Sequence, residues 1–176
     1  RKSVPQIQKA KIISTKSGEK NKNIKTCIKI WKELSKQNAD RSSLLINLGG
    51  GVITDMGGFA ASAYKRGIDF IHIPTTLLAQ ADASIGGKTG IDFFHFKNQI
   101  GAFTFPKAVF IVPSFLKTLD KRQMLSAFAE IVKHGLIANK NYWEEIRGIK
   151  DVKEIKEDII FHSIEIKNKI TSADPL

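Results

Sequence analysis

Three short stretches bring together residue types that do chemistry. In Leu48-Gly49-Gly50-Gly51-Val52-Ile53-Thr54-Asp55 an apolar run enters three glycines and then a helical pattern. Glycine lets a backbone come close to a pyrophosphate, and the N-terminus of the next helix favours its negative charge. Gly49 and Gly51 have no glycine at position 54 and no Gly-Lys-Ser/Thr follows, so neither common nucleotide fingerprint is present. A cofactor seat and a tight strand-to-helix turn needing positive φ account for these glycines equally well. In Asp82-Ala83-Ser84-Ile85-Gly86-Gly87-Lys88-Thr89-Gly90, followed by Lys97-Asn98, an acid, two lysines and an amide surround glycines. Lys88 lies between glycines, in a stretch expected to be loop, and Lys97-Asn98 precedes the apolar run from Ile100 to Phe105. Both features favour a binding role over ordinary solvated lysines. In Ala129-Glu130-Ile131-Val132-Lys133-His134-Gly135 a carboxylate, an amine and an imidazole share one helix face. Spacing alone favours an intrahelical Glu-Lys pair there, because a carboxylate and one imidazole do not complete a metal site.

The elements that must carry these groups follow from periodicity. Ala10 to Ser14 predicts a short strand, and Ile24, Cys27, Ile28, Trp31 and Leu34 an amphipathic helix. Leu44 to Leu48 predicts a strand buried on both faces of a parallel sheet. Asp55 to Tyr64 predicts a closely packed helix, Ile68 to Ile73 a strand stopped by Pro74, Thr75 to Ser84 a helix, Gly86 to Gly90 a loop, and Ala108 to Val112 a last strand. Beyond it Met124 to Ile137 is apolar with helical period. Val152, Ile155, Ile159, Ile166 and Ile170 mark a long helix. The pattern is α/β, with residues 1–113 as a nucleotide-type domain and 114–176 as the start of a helical one. Asp174-Pro175-Leu176 on an apolar helix edge reads as part of a longer protein. Among the isolated histidines, His72 is expected in the core or at a sheet edge and His162 on a helix surface.

The 176 residues are 42% hydrophobic and 26% charged, ordinary figures for a soluble domain with a real core. The single cysteine, Cys27, forms no internal disulfide and no cysteine-based metal cage, so it reads as a small buried hydrophobe in an intracellular, cytoplasmic protein. No apolar run of about 18 residues predicts a membrane span. The net charge of +11 is local: residues 1–40 hold Arg1 and ten lysines against Glu19, Glu33 and Asp40. The lysines between 22 and 36 fall on a polar helix face without interleaved aromatics, which favours a solvated face over a nucleic-acid groove.

Taken in chain order, Ser17-Gly18-Glu19 with Lys22, Gly49-Gly50-Gly51-Val52 with Asp55, Arg66-Gly67, Pro74-Thr75-Thr76-Leu77-Leu78-Ala79-Gln80, Asp82 with Ser84, Gly86 to Gly90, Lys97-Asn98 with Ile100-Gly101, and Ala129-Glu130 with Lys133 form one set. It resembles the 3-dehydroquinate synthases of the sugar-phosphate cyclase superfamily, from about Ser17 to Ala173. The resemblance implies a Rossmann-like parallel-sheet domain followed by an α-helical metal and substrate domain, both incomplete here. It implies a cytoplasmic homodimer that uses NAD and a divalent metal, zinc or cobalt. The reaction is cyclisation of 3-deoxy-D-arabino-heptulosonate 7-phosphate to 3-dehydroquinate with loss of phosphate, in the shikimate pathway. NAD transiently oxidises a ring hydroxyl, phosphate is eliminated, the ketone is reduced again, and an aldol closure follows.

Carried over residue by residue, the resemblance gives Glu19 and Lys22 to the adenosine portion, and Gly50, Gly51, Val52 and Asp55 to the pyrophosphate and ribose. Thr75, Thr76, Phe115, Thr118 and Leu119 would complete the cofactor pocket. Asp82, Lys88, Asn98 and Lys133 would hold the sugar phosphate, Lys97 would serve cofactor or substrate, and Arg66 would reach the phosphate in a partner subunit. Glu130 would be one metal ligand; the other two are histidines expected beyond Asp174, and His134 falls at a position that is not a ligand. A first strand and helix are expected ahead of Arg1. The sequence therefore reads as an internal fragment with at most weak NAD binding and no turnover. Another cyclase, of the valiolone or inosose synthase type, a metal-dependent alcohol dehydrogenase, and a basic nucleic-acid-binding module remain the alternatives.

Overall fold

Asn23 opens the first long helix. Its side chain accepts the Thr26 backbone N–H at 3.1 Å, which starts α1 (Ile24–Lys36) and buries Cys27, Ile30 and Leu34 on one stripe. This is the one computed structural model of the chain, and it describes residues 9–174. Arg1 and the chain end at Pro175-Leu176, invoked above, lie outside the described residues. Strands β1 (Leu44–Gly49), β2 (Asp69–Pro74) and β5 (Ala108–Val109) form a parallel sheet in the order β1-β2-β5, and β3 (Lys88–Phe93) and β4 (Phe96–Phe103) form an antiparallel hairpin. Between β1 and β2 runs α2 (Gly51–Ala63). Its glycines let neighbours in: a Cβ on Gly57 would sit 2.0 Å from Asn47 Oδ1, and one on Gly58 2.5 Å from Thr89 Cγ2.

A mostly helical second part follows: α3 (Lys121–Ala138), α4 (Lys140–Ile146) and α5 (Glu157–Ala173). Asp120 caps α3 through the Gln123 N–H at 2.9 Å, and Asn139 both ends α3 and caps α4 through the Tyr142 N–H at 3.1 Å. Gly135 allows α4 to press close, since a Cβ there would meet Ile146 Cδ1 at 2.8 Å. Two apolar cores result. One gathers α1, α2, β2 and Ile91 around Met56 and Phe70; the other gathers α3, α4 and α5 around Ile131, Tyr142 and Ile160. Leu77, Ala81 and Ile85 belong to the helical core, so the segment after β2 roots the site in both parts.

Several expectations change. Ala10 to Ser14 forms no strand. Among the described residues β1 is an edge strand, with Leu44 and Leu48 exposed and the polar Asn47 as its buried residue. Thr75 to Ser84 contains a π-helical turn, Ala79–Ala83, held by the Ser84 hydroxyl donating to Ala79 O at 2.7 Å. Lys88-Thr89-Gly90 begins a strand, not a loop, because Gly90 and Gly101 let the two backbones of the hairpin meet. The long helix read from Val152 is a 3₁₀ turn, Val152–Glu154, then α5, and α4 had no sequence reading at all. Cys27 and His72 are buried as expected. His162 is half-buried, stacked on Tyr142 with ring centroids 4.3 Å apart.

Candidate active site

A cleft of about 1150 Å³ lies where the glycine turn, the β3-β4 hairpin, the π-helical turn and the first turns of α3 meet. One wall is the start of α2. Gly50 caps the helix with φ −77° and no side-chain hydrogen bond, and its carbonyl takes the N–H groups of Ile53 and Thr54. The amides of Gly51 and Val52 have no carbonyl one turn back within the helix, and both residues line the cleft. None of Gly49, Gly50 and Gly51 has positive φ, so the tight-turn explanation does not apply. Space explains the first two: a Cβ would lie 2.6 Å from Ile53 at Gly49 and 2.9 Å from Thr76 at Gly50. The bare helix end thus presents backbone donors and positive potential to the cleft.

The second wall is a network. Lys22 is 4% exposed, not part of the solvated helix face expected of it, and its Nζ donates to Asp55 Oδ2 and Asn98 Oδ1, both at 2.6 Å. Burial raises the Asp55 carboxyl above its ordinary range, and Lys22 opposes that rise. Asn98 takes positive φ, 54°, and its backbone N–H donates to Asp92 Oδ1 at 2.9 Å, which fixes the bend of the hairpin. Nearer solvent, Lys97 pairs with Glu19 at 3.3 Å. Gly86 and Gly87, with φ +96° and +69°, feed the chain into Lys88 at the cleft.

The third wall is acidic. Asp82 on the π-helical turn, Glu130 and His134 on α3 place one ligand atom each within 4.8 Å of one another. Lys167 of α5 pairs with Asp82 Oδ1 at 2.7 Å, and Lys133 pairs with Glu130 Oε2. Both oxygens are buried, and these ammonium groups are their counter-charges. His134 is buried; its Nδ1 bonds the Ser163 hydroxyl at 2.6 Å and its Nε2 stands 3.8 Å from Asp82 Oδ1. Burial holds the imidazole below its ordinary range, with Asp82 pulling the other way and Lys133 and Lys167 reinforcing burial. Two carboxylates and a neutral imidazole are a donor set that suits a divalent cation.

Of the residues singled out in the sequence, Glu19, Lys22, Gly50, Gly51, Val52 and Asp55 line the cleft. Thr76, Asp82, Lys88, Lys97 and Asn98 line it too. Glu130 and Lys133 stand behind Asp82, on the helix whose Ser126 and Ala127 face the cleft. Thr75, Phe115, Thr118 and Leu119 do not line it: the Thr75 N–H ties to Gly49 O, and Phe115 and Thr118 lie on a 3₁₀ turn, Pro113–Thr118, that leads to the helical core. Arg66 is remote, exposed beside Arg41 and Lys65, where Lys65 and Arg66 both take positive φ. Two residues went unread. Lys167 carried a signal, because it occupies the stripe of α5 shared by Ile160, Ile164 and Thr171. Asp92 carried none, because its role depends on the hairpin.

The profile of the 3-dehydroquinate synthase N-terminal family matches residues 12–126, which take in the glycine turn, the hairpin and the start of α3. The chain belongs to the 3-dehydroquinate synthase family. A 3-dehydroquinate synthase of Parabacteroides distasonis is 44% identical over 176 residues, covering 98% of this chain and 50% of that protein. One of Helicobacter pylori is 51% identical over 158 residues, covering 90% and 46%. The chain thus spans about half the length of the curated 3-dehydroquinate synthases it matches. Among solved structures, a 2-deoxy-scyllo-inosose synthase complexed with carbaglucose-6-phosphate, NAD+ and Co2+ superposes with a TM-score of 0.81 at 28% identity, over 92% of this chain and 46% of that one. A 2-epi-5-epi-valiolone synthase from Streptomyces hygroscopicus with NAD+ and Zn2+ bound gives 0.79 at 27%, over 91% and 47%. An iron-containing alcohol dehydrogenase, TM-score 0.64 at 14% identity, shares the fold alone.

Proposed function

We propose that this chain supplies the NAD seat and one side of the metal and sugar-phosphate site of a 3-dehydroquinate synthase. The observation that carries the reading is that the bare α2 terminus, the Lys22-Asp55-Asn98 network and the Asp82 cluster face one cleft, in a chain of this family. Gly50, Gly51 and Val52 bind the pyrophosphate through backbone N–H groups, while Asp55, Glu19 and Lys22 fix the adenosine and ribose side. Thr75, Thr76, Phe115, Thr118 and Leu119 belong to the same proposal as outer parts of the cofactor pocket, and Lys97 serves cofactor or substrate. Lys88, Asn98, Asp82, Lys133 and Lys167 orient the substrate and offset charge on its phosphate and on the oxygen that develops charge.

Glu130 would supply one ligand to a divalent cation, zinc or cobalt, which would polarise a substrate hydroxyl as a Lewis acid, with Asp82 and His134 beside it. NAD supplies reversible hydride acceptance. Within the chain, α3 and the π-helical turn keep these groups on a shared apolar base, Leu77, Ala81, Ala127 and Ile131, that excludes water beneath the site. The division near residue 113, a cytoplasmic location and a homodimer in which Arg66 reaches the neighbouring site complete the proposal. No described helix is long and apolar enough to cross a membrane. The test uses the full-length protein with NAD, cobalt and 3-deoxy-D-arabino-heptulosonate 7-phosphate. Phosphate release with 3-dehydroquinate formation is expected. Turnover of a different sugar phosphate only, or net NADH accumulation, contradicts the reading and points to a sister cyclase or a dehydrogenase.

A further inference from the structure

Asp82 sits on a turn that departs from α geometry. Across Ala79–Ala83 the chain winds one residue wider, and the Ala79 carbonyl accepts the Ser84 N–H at 3.1 Å, where an α-helix would offer it the Ala83 N–H. Such a turn is uncommon and persists where its surroundings hold it. Two buried side chains do so. The Ser84 hydroxyl donates to the same Ala79 carbonyl at 2.7 Å, so both lone pairs of that oxygen are served by one residue. Gln80, 0% exposed, donates its amide to Pro74 O at the end of β2 and to Val112 O beyond β5, both at 3.1 Å. Two carbonyl acceptors fix which end of the amide carries the hydrogens. Gln80 thereby fastens the turn to the carboxyl ends of two neighbouring parallel strands, and Ser84 closes it.

Asp82 lies between these two holds and lines the cleft, whereas Ala79 and Ala81 are fully buried and neither Gln80 nor Ser84 lines the cleft. One residue of an α-helix spans about 100° round the axis. A turn rewound to α geometry would therefore re-aim the Asp82 carboxylate relative to Leu77, which is rooted in the helical core. We infer that Ser84 and Gln80 are positioning residues: they lock the wide register of this turn and so aim the Asp82 carboxylate into the cleft. The inference rests on the proposed reading of Asp82 as a group that holds the sugar phosphate. It goes further by assigning the orientation of that carboxylate to two side chains behind it.

The experiment uses the full-length protein with NAD and cobalt. It measures phosphate release from 3-deoxy-D-arabino-heptulosonate 7-phosphate, and NAD affinity by calorimetry, in Ser84→Ala, Asp82→Asn and the double variant. Asp82→Asn is expected to lower kcat/KM about a hundredfold and Ser84→Ala about tenfold, with NAD affinity unchanged within about twofold. A residue that acts through Asp82 has nothing to act on once that carboxylate is gone, so the double variant should match Asp82→Asn within about twofold. A general loosening of the fold would instead multiply the two losses. Gln80→Met, similar in length but without the donors, is expected to repeat the pattern. Circular dichroism checks that it folds, and Ser84→Ala, which removes a single oxygen, carries the test if it does not.

Three results would overturn the inference: kcat/KM unchanged in Ser84→Ala, losses that multiply in the double variant, or NAD affinity that falls as far as kcat/KM. The broader reading is tested separately by the Asp82→Asn arm. If Asp82→Asn is impaired and Ser84→Ala is not, the inference fails alone; if Asp82→Asn keeps full turnover, the reading of Asp82 fails and takes the inference with it.

Discussion

Lys22 ties Asp55 of α2 to Asn98 of the hairpin through two 2.6 Å contacts, and its removal leaves Asp55 half-buried without that cation. Lys22→Met is expected to destabilise the chain by about 2 kcal/mol in urea unfolding, with most of the loss recovered by adding Asp55→Asn. Equal losses in the single and double variants would show that the pair is incidental. His72 makes a different prediction. Burial lowers its imidazole from 6.5 to about 4, so the folded state holds it neutral. The stability this gives is complete above pH 6.5 and falls as pH drops towards 4, by on the order of 3 kcal/mol for this group. Unfolding at pH 7 and pH 4.5 checks it, and His72→Gln should flatten that slope.

Among elements, the β3-β4 hairpin sets the position of Lys88 and Asn98 and depends on two facing glycines. A Cβ on Gly101 would lie 2.1 Å from Thr89 O, a backbone atom that a rotamer change cannot move. Gly101→Ala should therefore cost about 1–3 kcal/mol and weaken NAD binding through the displaced Asn98, whereas Gly51→Ala, whose Cβ would meet only Ala83 at 3.4 Å, should spare stability and weaken NAD alone. Unfolding and NAD titrations on both variants separate the two effects. The hairpin was also the element hardest to read beforehand. Periodicity found α1, β1, α2, β2 and α3 because each buries one regular stripe, but the sequence around Lys88 is glycine-rich and its strand character comes from cross-strand pairing with residues 96–103. For Gly49 to Gly51 the sequence left a cofactor seat and a positive-φ turn equally open; none has positive φ, and close approach requires Gly49 and Gly50.

Across the whole molecule, two apolar cores meet along the segment from Leu77 to Ile85, and the cleft opens on their junction. The glycine turn and the lysine segment stood out in the sequence because their residue types are uncommon in ordinary turns and surfaces, and both line the cleft. It missed the Asp82-Glu130-His134 grouping because the grouping joins residues about 50 positions apart through a packing that no local pattern records. Phe115, Thr118 and Leu119 stand outside the cleft lining for a similar reason: the turn that bears them follows the helical core.

On the proposed reading the α2 terminus, the Lys22 network and the hairpin form one NAD-binding surface. Backbone amide NMR spectra of the isotopically labelled chain, recorded during NAD titration, test it most directly. Shifts concentrated at Glu19 to Lys22, Gly50 to Asp55 and Lys97-Asn98 are expected. Shifts confined to the Arg41, Lys65 and Arg66 face, or none at millimolar NAD, would contradict it.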